Sequence, residues 1–165
     1  MKFALLKKWQ VICLFAISCS MSSFANADDA GPIRTIQALY SHSMEMNKHF
    51  RDYDSNNLLA KFATKDLKQL FIADDQLMER TGELGCIEID LMWLTNGDAE
   101  GAELFLEQID DRHVAVVIGQ TEDMESRSLI YQMDCDGAAC KINDLIIGGE
   151  FSFKQGLAEC LSEAE

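Results

Sequence analysis

The sequence predicts an α+β domain in which N-terminal helices pack on one face of a curved antiparallel sheet of about four strands, followed by a short C-terminal helix. Two observations carry this expectation. Apolar residues recur at helical spacing up to Gly85 and at two-residue alternation after it. The alternating segments then follow one another through short polar turns, and helices first with a strand meander afterwards give segregated layers.

The elements follow in order. A first helix is expected over residues 32–52. Pro32 suits its first turn, and Ile33, Ile36, Tyr40, Met44 and Phe50 recur on one side. A second helical stretch covers residues 58–62. Thr64 is the expected N-cap of a third, in which Leu67, Leu70, Phe71 and Met78 share a face. Residues 81–85 end the helical half. Residues 86–93 read as extended or irregular, and Asn96-Gly97-Asp98 as a turn. Strands are expected over 103–109, 113–120, 129–135 and 140–147. Val114 to Ile118 is apolar on both faces, as a central strand would be. Ser152 and Gln155 have capping-box spacing before a last helix carrying Leu157, Cys160 and Leu161.

The first 27 residues read as an export signal. Lys2, Lys7 and Lys8 precede a short apolar run over 11–18, and Ala25-Asn26-Ala27 is a cleavage pattern just before Asp28-Asp29. The run is far below the ~20 residues that span a bilayer. The expectation is a periplasmic, secreted domain of residues 28–165 with no stable membrane span. A lipidated form beginning at Cys19 is the alternative, since residues 15–19 loosely fit a lipobox.

Cleavage leaves four of the six cysteines, and an even count in an exported chain indicates a disulfide framework. Cys-x-x-Cys spacing is absent, which disfavours zinc. Placing Cys135 opposite Cys140 leaves residues 136–139 as a turn and aligns Met133 with Ile142 and Leu129 with Ile146. The remaining pair is Cys86 with Cys160. In the loop-entropy picture the long bridge contributes about 4.5 kcal/mol and the hairpin bridge about 2 kcal/mol.

The chain carries 28 acidic against 14 basic residues, a formal charge of −14. Removing a leader with three lysines and no acid makes it −17. That excess excludes nucleic acid as a partner class and suits a basic protein. Asp98, Glu100, Glu103, Glu107, Asp110 and Asp111, with Glu122, Asp123 and Glu125, are the candidate partner-binding carboxylates at the loop ends of the sheet. Glu88 and Asp90 alternate with Ile87 and Ile89, so both would point to one side of an extended segment. With Trp93 and Tyr131 they are the candidate pocket residues. His42, Glu45 and His49 share a helical face opposite the apolar stripe. A solvated polar face accounts for them, and neither metal nor cofactor is expected. Asp134-Cys135-Asp136-Gly137 lacks the closing Glu of a calcium loop. No nucleophile elbow organises the Ser, His and Asp residues, so no catalytic residue is assigned.

Three stretches carry a resemblance to a known family. They are the helix over 33–50 with Leu39-Tyr40, the acidic segment 86–90 closing near Gly97-Asp98, and the strand Lys141-Ile142-Asn143-Asp144-Leu145-Ile146. The chain resembles bacterial envelope proteins of unknown function with the nuclear-transport-factor-2-like (cystatin-like) fold, found as periplasmic proteins and lipoproteins. Leu91 stands where that family's acidic loop usually has Pro. The resemblance implies one domain of that fold and a possible kinship with immunity proteins against cell-wall-degrading toxins. The leading expectation is therefore a non-catalytic binding or inhibitory protein whose acidic loops meet a basic periplasmic protein or toxin. The alternatives are a small-ligand-binding or weakly catalytic domain with a concave pocket, and an envelope structural protein without a discrete site.

Overall fold

The structure, a computed structural model, describes residues 31–49, 54–95, 101–122 and 124–164. Residues 1–30, Phe50, Asp52, Asp98, Glu100 and Asp123 lie outside them. Four helices, α1 (Pro32–His49), α2 (Ser55–Phe62), α3 (Lys65–Thr81) and α4 (Phe153–Glu163), accompany five strands. The strands are β1 (Leu104–Gln108), β2 (His113–Ile118), β3 (Arg127–Asp136), β4 (Ala139–Ile147) and β5 (Phe151–Ser152). They form one antiparallel sheet in the order β1-β2-β3-β4-β5. The class is α+β as the sequence predicts, with one strand more than expected. That strand is only two residues long and runs straight into α4.

Local chemistry sets most boundaries. Thr64 caps α3, its hydroxyl accepting from the Leu67 amide at 3.4 Å. Gly82 closes α3 in the left-handed conformation, φ 71°, and donates to the Met78 carbonyl. α2 starts before the expected stretch, because the Asp54 carboxylate accepts from the Asn57 amide at 3.0 Å. On α1 the buried side is Ile36, Leu39, Tyr40 and Ser43. Met44, expected inside, is 43% exposed, because Ser43 turns inward to accept a hydrogen bond from Trp93.

Inner positions of the sheet alternate as a one-sided layer requires. Val114, Val116 and Ile118 of β2, Leu129, Tyr131 and Met133 of β3, and Ile142 and Leu145 of β4 are buried in one core with residues of all four helices. Phe71 of α3 meets Phe153 of α4 with ring centroids 5.9 Å apart. Among the described residues, the opposite face carries no helix. Val117 is consequently 37% exposed, while β2 lies between β1 and β3, inside the sheet as its apolar run predicts.

The register confirms Cys135 opposite Cys140 and Met133 opposite Ile142. Leu129 faces Ile147, not Ile146, because an irregularity at Gln132/Met133 places an extra residue, Asn143, in β4. Pairing also continues one step beyond the cysteines, to Asp136 and Ala139. The expected four-residue turn is therefore two residues long, with Gly137 at φ 60° in the first position, as a type II′ hairpin requires.

Both disulfides form, Cys86–Cys160 across 74 residues and Cys135–Cys140 across five. Ser152 caps α4 and accepts from the Gln155 amide at 3.1 Å. The capping box is only half made: the Gln155 amide group bonds Glu159 one turn on. Its place is taken by the buried carboxylate of Asp144, which accepts from the Lys154 amide at 2.8 Å, the Leu145 amide at 2.7 Å and the Ser152 hydroxyl. An anion at the first turn of α4 also meets the positive end of the helix dipole.

Candidate functional site

The segment after α3 is irregular, yet side chains fasten it at short intervals. The buried Asp74 carboxylate accepts from the Cys86 amide. It lies so close to Gly85 that a Cβ there would collide with it. Asn56 of α2 clamps the next stretch, donating to the Ile89 carbonyl and accepting from the Leu91 amide, both at 3.0 Å. Asp90 then turns the chain. Its Oδ1 accepts from the Met92 amide at 2.8 Å and the Trp93 amide at 3.0 Å, and the Ser55 hydroxyl hydrogen-bonds the same carboxylate. Leu91, Met92 and Trp93 are thereby delivered into the core.

A polar chain sits at that point of the core. The Tyr40 hydroxyl donates to the Met92 carbonyl at 2.7 Å and lies 3.1 Å from the Tyr131 hydroxyl. The Trp93 indole donates to Ser43 at 3.1 Å, and its ring meets Tyr40 edge-on at 5.4 Å. Burial and the neighbouring Tyr131 push the Tyr40 phenol well above its usual range. Trp93 and Tyr131 are 5% and 0% exposed. The four pocket candidates therefore separate: Asp90, Trp93 and Tyr131 build the turn and the core beneath it, and Glu88 alone stands exposed beside a cavity.

Burial raises the Asp90 pKa, against the opposing pull of Ser55 and the Trp93 and Met92 amides. A carboxyl whose folded pKa is raised stabilises the fold fully below its ordinary pKa of about 3.9 and loses that contribution as pH rises through the folded value. Asp90→Asn keeps the Oδ1 acceptor and removes the charge. Its urea midpoint is expected to gain on the wild type between pH 4 and pH 7. A variant that loses ground over that interval would show that the charge itself holds the turn.

Topology divides the acidic candidates between the two ends of the sheet. Asp110 and Asp111 lie in the β1–β2 turn, on the side of the β3–β4 hairpin that carries Asp134 and Asp136. Glu122 and Glu125 lie in the β2–β3 connection, at the end where the Glu103 carbonyl accepts from the Gly119 amide. The six residues of β2 separate the two ends by roughly 20 Å at about 3.3 Å per residue. The Arg112 amide, then His113, whose ring is 2.9 Å away, hold the Asp110 carboxyl below its ordinary range. Glu107 lies between the ends on the open face, opposite Ala115.

That open face holds what the sequence reading missed. Phe105 pairs with Val117, and the two are 58% and 37% exposed; Ile109, just past β1, is 52% exposed. Ala115, Ile130 and Ile146 form a half-buried row beside them. The signal was present: Phe105, Glu107 and Ile109 are the positions that alternate with Leu104 and Leu106, which pack on the core.

At the other edge of the sheet a cavity of about 270 Å³ lies between residues 86–91, the end of β4, β5 and α4. Ile87, Ile89, Leu91, Ile147, Phe153 and Leu157 line it with Glu88, and Cys86 lies in its wall. Phe151 rests its ring on Gly156, where a Cβ would strike it. A glycine inside a helix costs about 1 kcal/mol relative to alanine, and this contact is what it makes room for.

No family model, curated protein or solved structure matches this chain. Its functional reading rests on its own residues. Among the described residues, no group of three His, Cys, Asp or Glu side chains could hold a metal ion, and no helix is long and apolar enough to cross a membrane. On α1, His42 and Glu45 are exposed, with the His42 ring 6.1 Å from that of Phe62. The side chain of His49 is outside the described residues.

Proposed function

We propose that the chain is an exported, non-catalytic binding or inhibitory protein that docks a basic protein partner on the open face of its sheet. The exposed Phe105–Val117 pair carries the reading, because Glu107 accompanies it on the same strands and carboxylates lie at both ends. An apolar centre with a charged rim is the anatomy of a protein interface. The acidic rim speeds the approach of a basic surface, and the apolar pair holds it once docked. Two disulfides and the leader over residues 1–27 favour the periplasm, with cleavage after Ala27. The order of helices and strands is compatible with the nuclear-transport-factor-2-like resemblance. A secreted cell-wall-degrading toxin is the partner class that this resemblance implies.

Capture from periplasmic extract, followed by kinetics on the purified partner, tests this reading. Glu103→Gln with Glu107→Gln should slow association and flatten its salt dependence, since exposed charges act mainly on the encounter. Phe105→Ser with Val117→Ser should speed dissociation by about tenfold or more, the effect of losing one or two modest hot spots. A partner that binds the serine variant as tightly as the wild type would exclude this face.

A further inference from the structure

We propose that the outer edge of β1 takes up an extended basic segment of the partner as a sixth strand, paired with the backbone of Leu104, Leu106 and Gln108. Cationic side chains of that segment lie opposite Glu103 and Glu107, and apolar ones opposite Phe105 and Ile109. This rests on the reading that a basic protein docks on the open face, and it specifies how the partner is held there.

The two edges of the sheet differ. At one, β5 is two residues long and runs into α4. At the other, β1 is a strand of five residues with β2 on one side only. The Gly119 amide donates to the Glu103 carbonyl at 2.7 Å, and the Ile109 amide donates to the His113 carbonyl at 2.9 Å. Backbone groups of alternate residues turn toward the same neighbour in an antiparallel ladder. Glu103, Phe105, Glu107 and Ile109 therefore face β2, and Leu104, Leu106 and Gln108 present their amides and carbonyls to the edge. Among the described residues, no hydrogen bond outside the ladder reaches the backbone of these three. Such a row of free donors and acceptors is what an incoming strand pairs with.

The side chains on the open face identify the occupant. Glu103, Phe105, Glu107 and Ile109 alternate acid with apolar along the edge, and all four are exposed. Across the ladder Glu103 meets Gly119, where an added Cβ would lie 3.5 Å from its own, and Glu107 meets Ala115. Neither carboxylate has a hydrogen bond or ion pair among the described residues. Directly opposite side chains on neighbouring strands interact, and opposite charges there are favourable. The vacant side is the outer one, and it calls for cations four residues apart with an apolar residue between them. A second copy would bring another charge of −14 to this edge and is disfavoured.

The edge is held before any partner arrives. Leu104 and Leu106 pack on the core, and β1 is paired with β2 along its whole length. Little ordering cost then falls on binding from this side. Residues 103–109 span roughly 20 Å at about 3.4 Å per residue, the reach of a short extended segment. The added strand also widens the open face, because its apolar side chains join Phe105 and, across the ladder, Val117. Main-chain pairing supplies affinity, and the alternating acidic and apolar positions supply the selection.

The probe is acetyl-Lys-Thr-Val-Thr-Lys-Thr-Val-Thr-Lys-amide, whose repeat fits either strand direction, titrated into the isotope-labelled exported chain and followed by NMR. In the free protein the Leu104, Leu106 and Gln108 amides should exchange with solvent far faster than those of Phe105 and Glu107. Saturating peptide should slow them by about tenfold or more. The isomer acetyl-Lys-Val-Thr-Thr-Lys-Val-Thr-Thr-Lys-amide puts valine and lysine on opposite faces and should bind more weakly; exchanging every Lys for Glu should abolish binding. Glu103→Gln with Glu107→Gln should weaken it about three- to tenfold, as loss of two exposed charge pairs does. N-methylating one alternate set of peptide amides should abolish binding, and methylating the other set should not. The proposal falls if the three amides are already protected in the dilute free chain or if millimolar peptide leaves them unchanged. It also falls if both N-methyl isomers, or the Glu peptide, bind like the parent. Protection that grows with protein concentration alone would assign the edge to a second copy and overturn it. Gln108→Pro deletes one outward amide and no bond to β2, and it should weaken the peptide and the captured partner alike. A partner weakened by Phe105→Ser with Val117→Ser but indifferent to Gln108→Pro would sink the edge inference and leave the sheet-face reading standing. One indifferent to the serine pair but weakened by Gln108→Pro would uphold the edge and exclude the face around Val117.

Discussion

Replacing Cys86 and Cys160 together with serine is expected to lower the melting temperature by roughly 10–15 °C, about twice the loss from replacing Cys135 and Cys140. The long bridge closes a loop of 74 residues and the short one a loop of five. Loop entropy alone then assigns about 4.5 and about 2 kcal/mol, at roughly 3 °C per kcal/mol for a domain of this size. Native packing widens the gap. Cys135 and Cys140 sit on strands that already pair along β3 and β4. Cys86 belongs to an irregular segment held otherwise by side chains such as Asp74 and Asn56 and by the Asp90 turn, not by a strand ladder. Hydrogen exchange should accelerate in residues 86–91 and in α4 when the long bridge is lost. Equal thermal losses in the two double variants, measured by circular dichroism, would contradict the loop-length account.

The second large effect belongs to Asp144. Asp144→Ala is expected to cost about 3 kcal/mol, because it strips the acceptor from two amides, one buried and one half-buried, and a hydroxyl at once, and a hydrogen bond to a charged group contributes about 1.5–3 kcal/mol. The three donors, Leu145, Ser152 and Lys154, span the end of the sheet and the start of α4. Their loss should free the helix from β4, and amide exchange along α4 should rise more than exchange in β2. Asp144→Asn keeps one oxygen and can reverse the Ser152 bond, so it should cost less than half as much. Both can be read from urea unfolding. An alanine variant as stable as the asparagine variant would mean that water satisfies these groups and that Asp144 is no structural joint.

Much of this molecule is legible along the chain, and the legible parts share a cause. Thr64 and Gly82 mark the ends of α3 because each satisfies backbone groups within four residues of itself. Cys135 faces Cys140 because a hairpin brings residues together across a turn of only a few. Alternation places Val114, Val116, Leu129 and Tyr131 on one side of their strands without reference to anything distant. Once Cys135 and Cys140 are paired, the longer bridge follows by elimination.

Tertiary structure alone decided the rest, wherever the answer depends on what covers a surface. Val117 lies open because the helices occupy one face of the sheet, and its own neighbourhood of Val and Ile says nothing of that. Leu129 meets Ile147 because one extra residue in β4 shifts the ladder, an effect invisible to alternation counted from the hairpin. Trp93 and Tyr131, polar-tipped aromatics that suit a ligand site equally well, are core residues because Ser43 receives the Trp93 indole and the Tyr40 hydroxyl pairs with that of Tyr131. The carboxylates close in sequence part company for the same reason: Asp110 and Glu122 are joined by a strand whose length holds them at opposite ends. Hydrogen bonds within a turn are encoded by the residues that make them. Burial, exposure and the meeting of distant charges are properties of the packed layers, and only the packed layers could assign them.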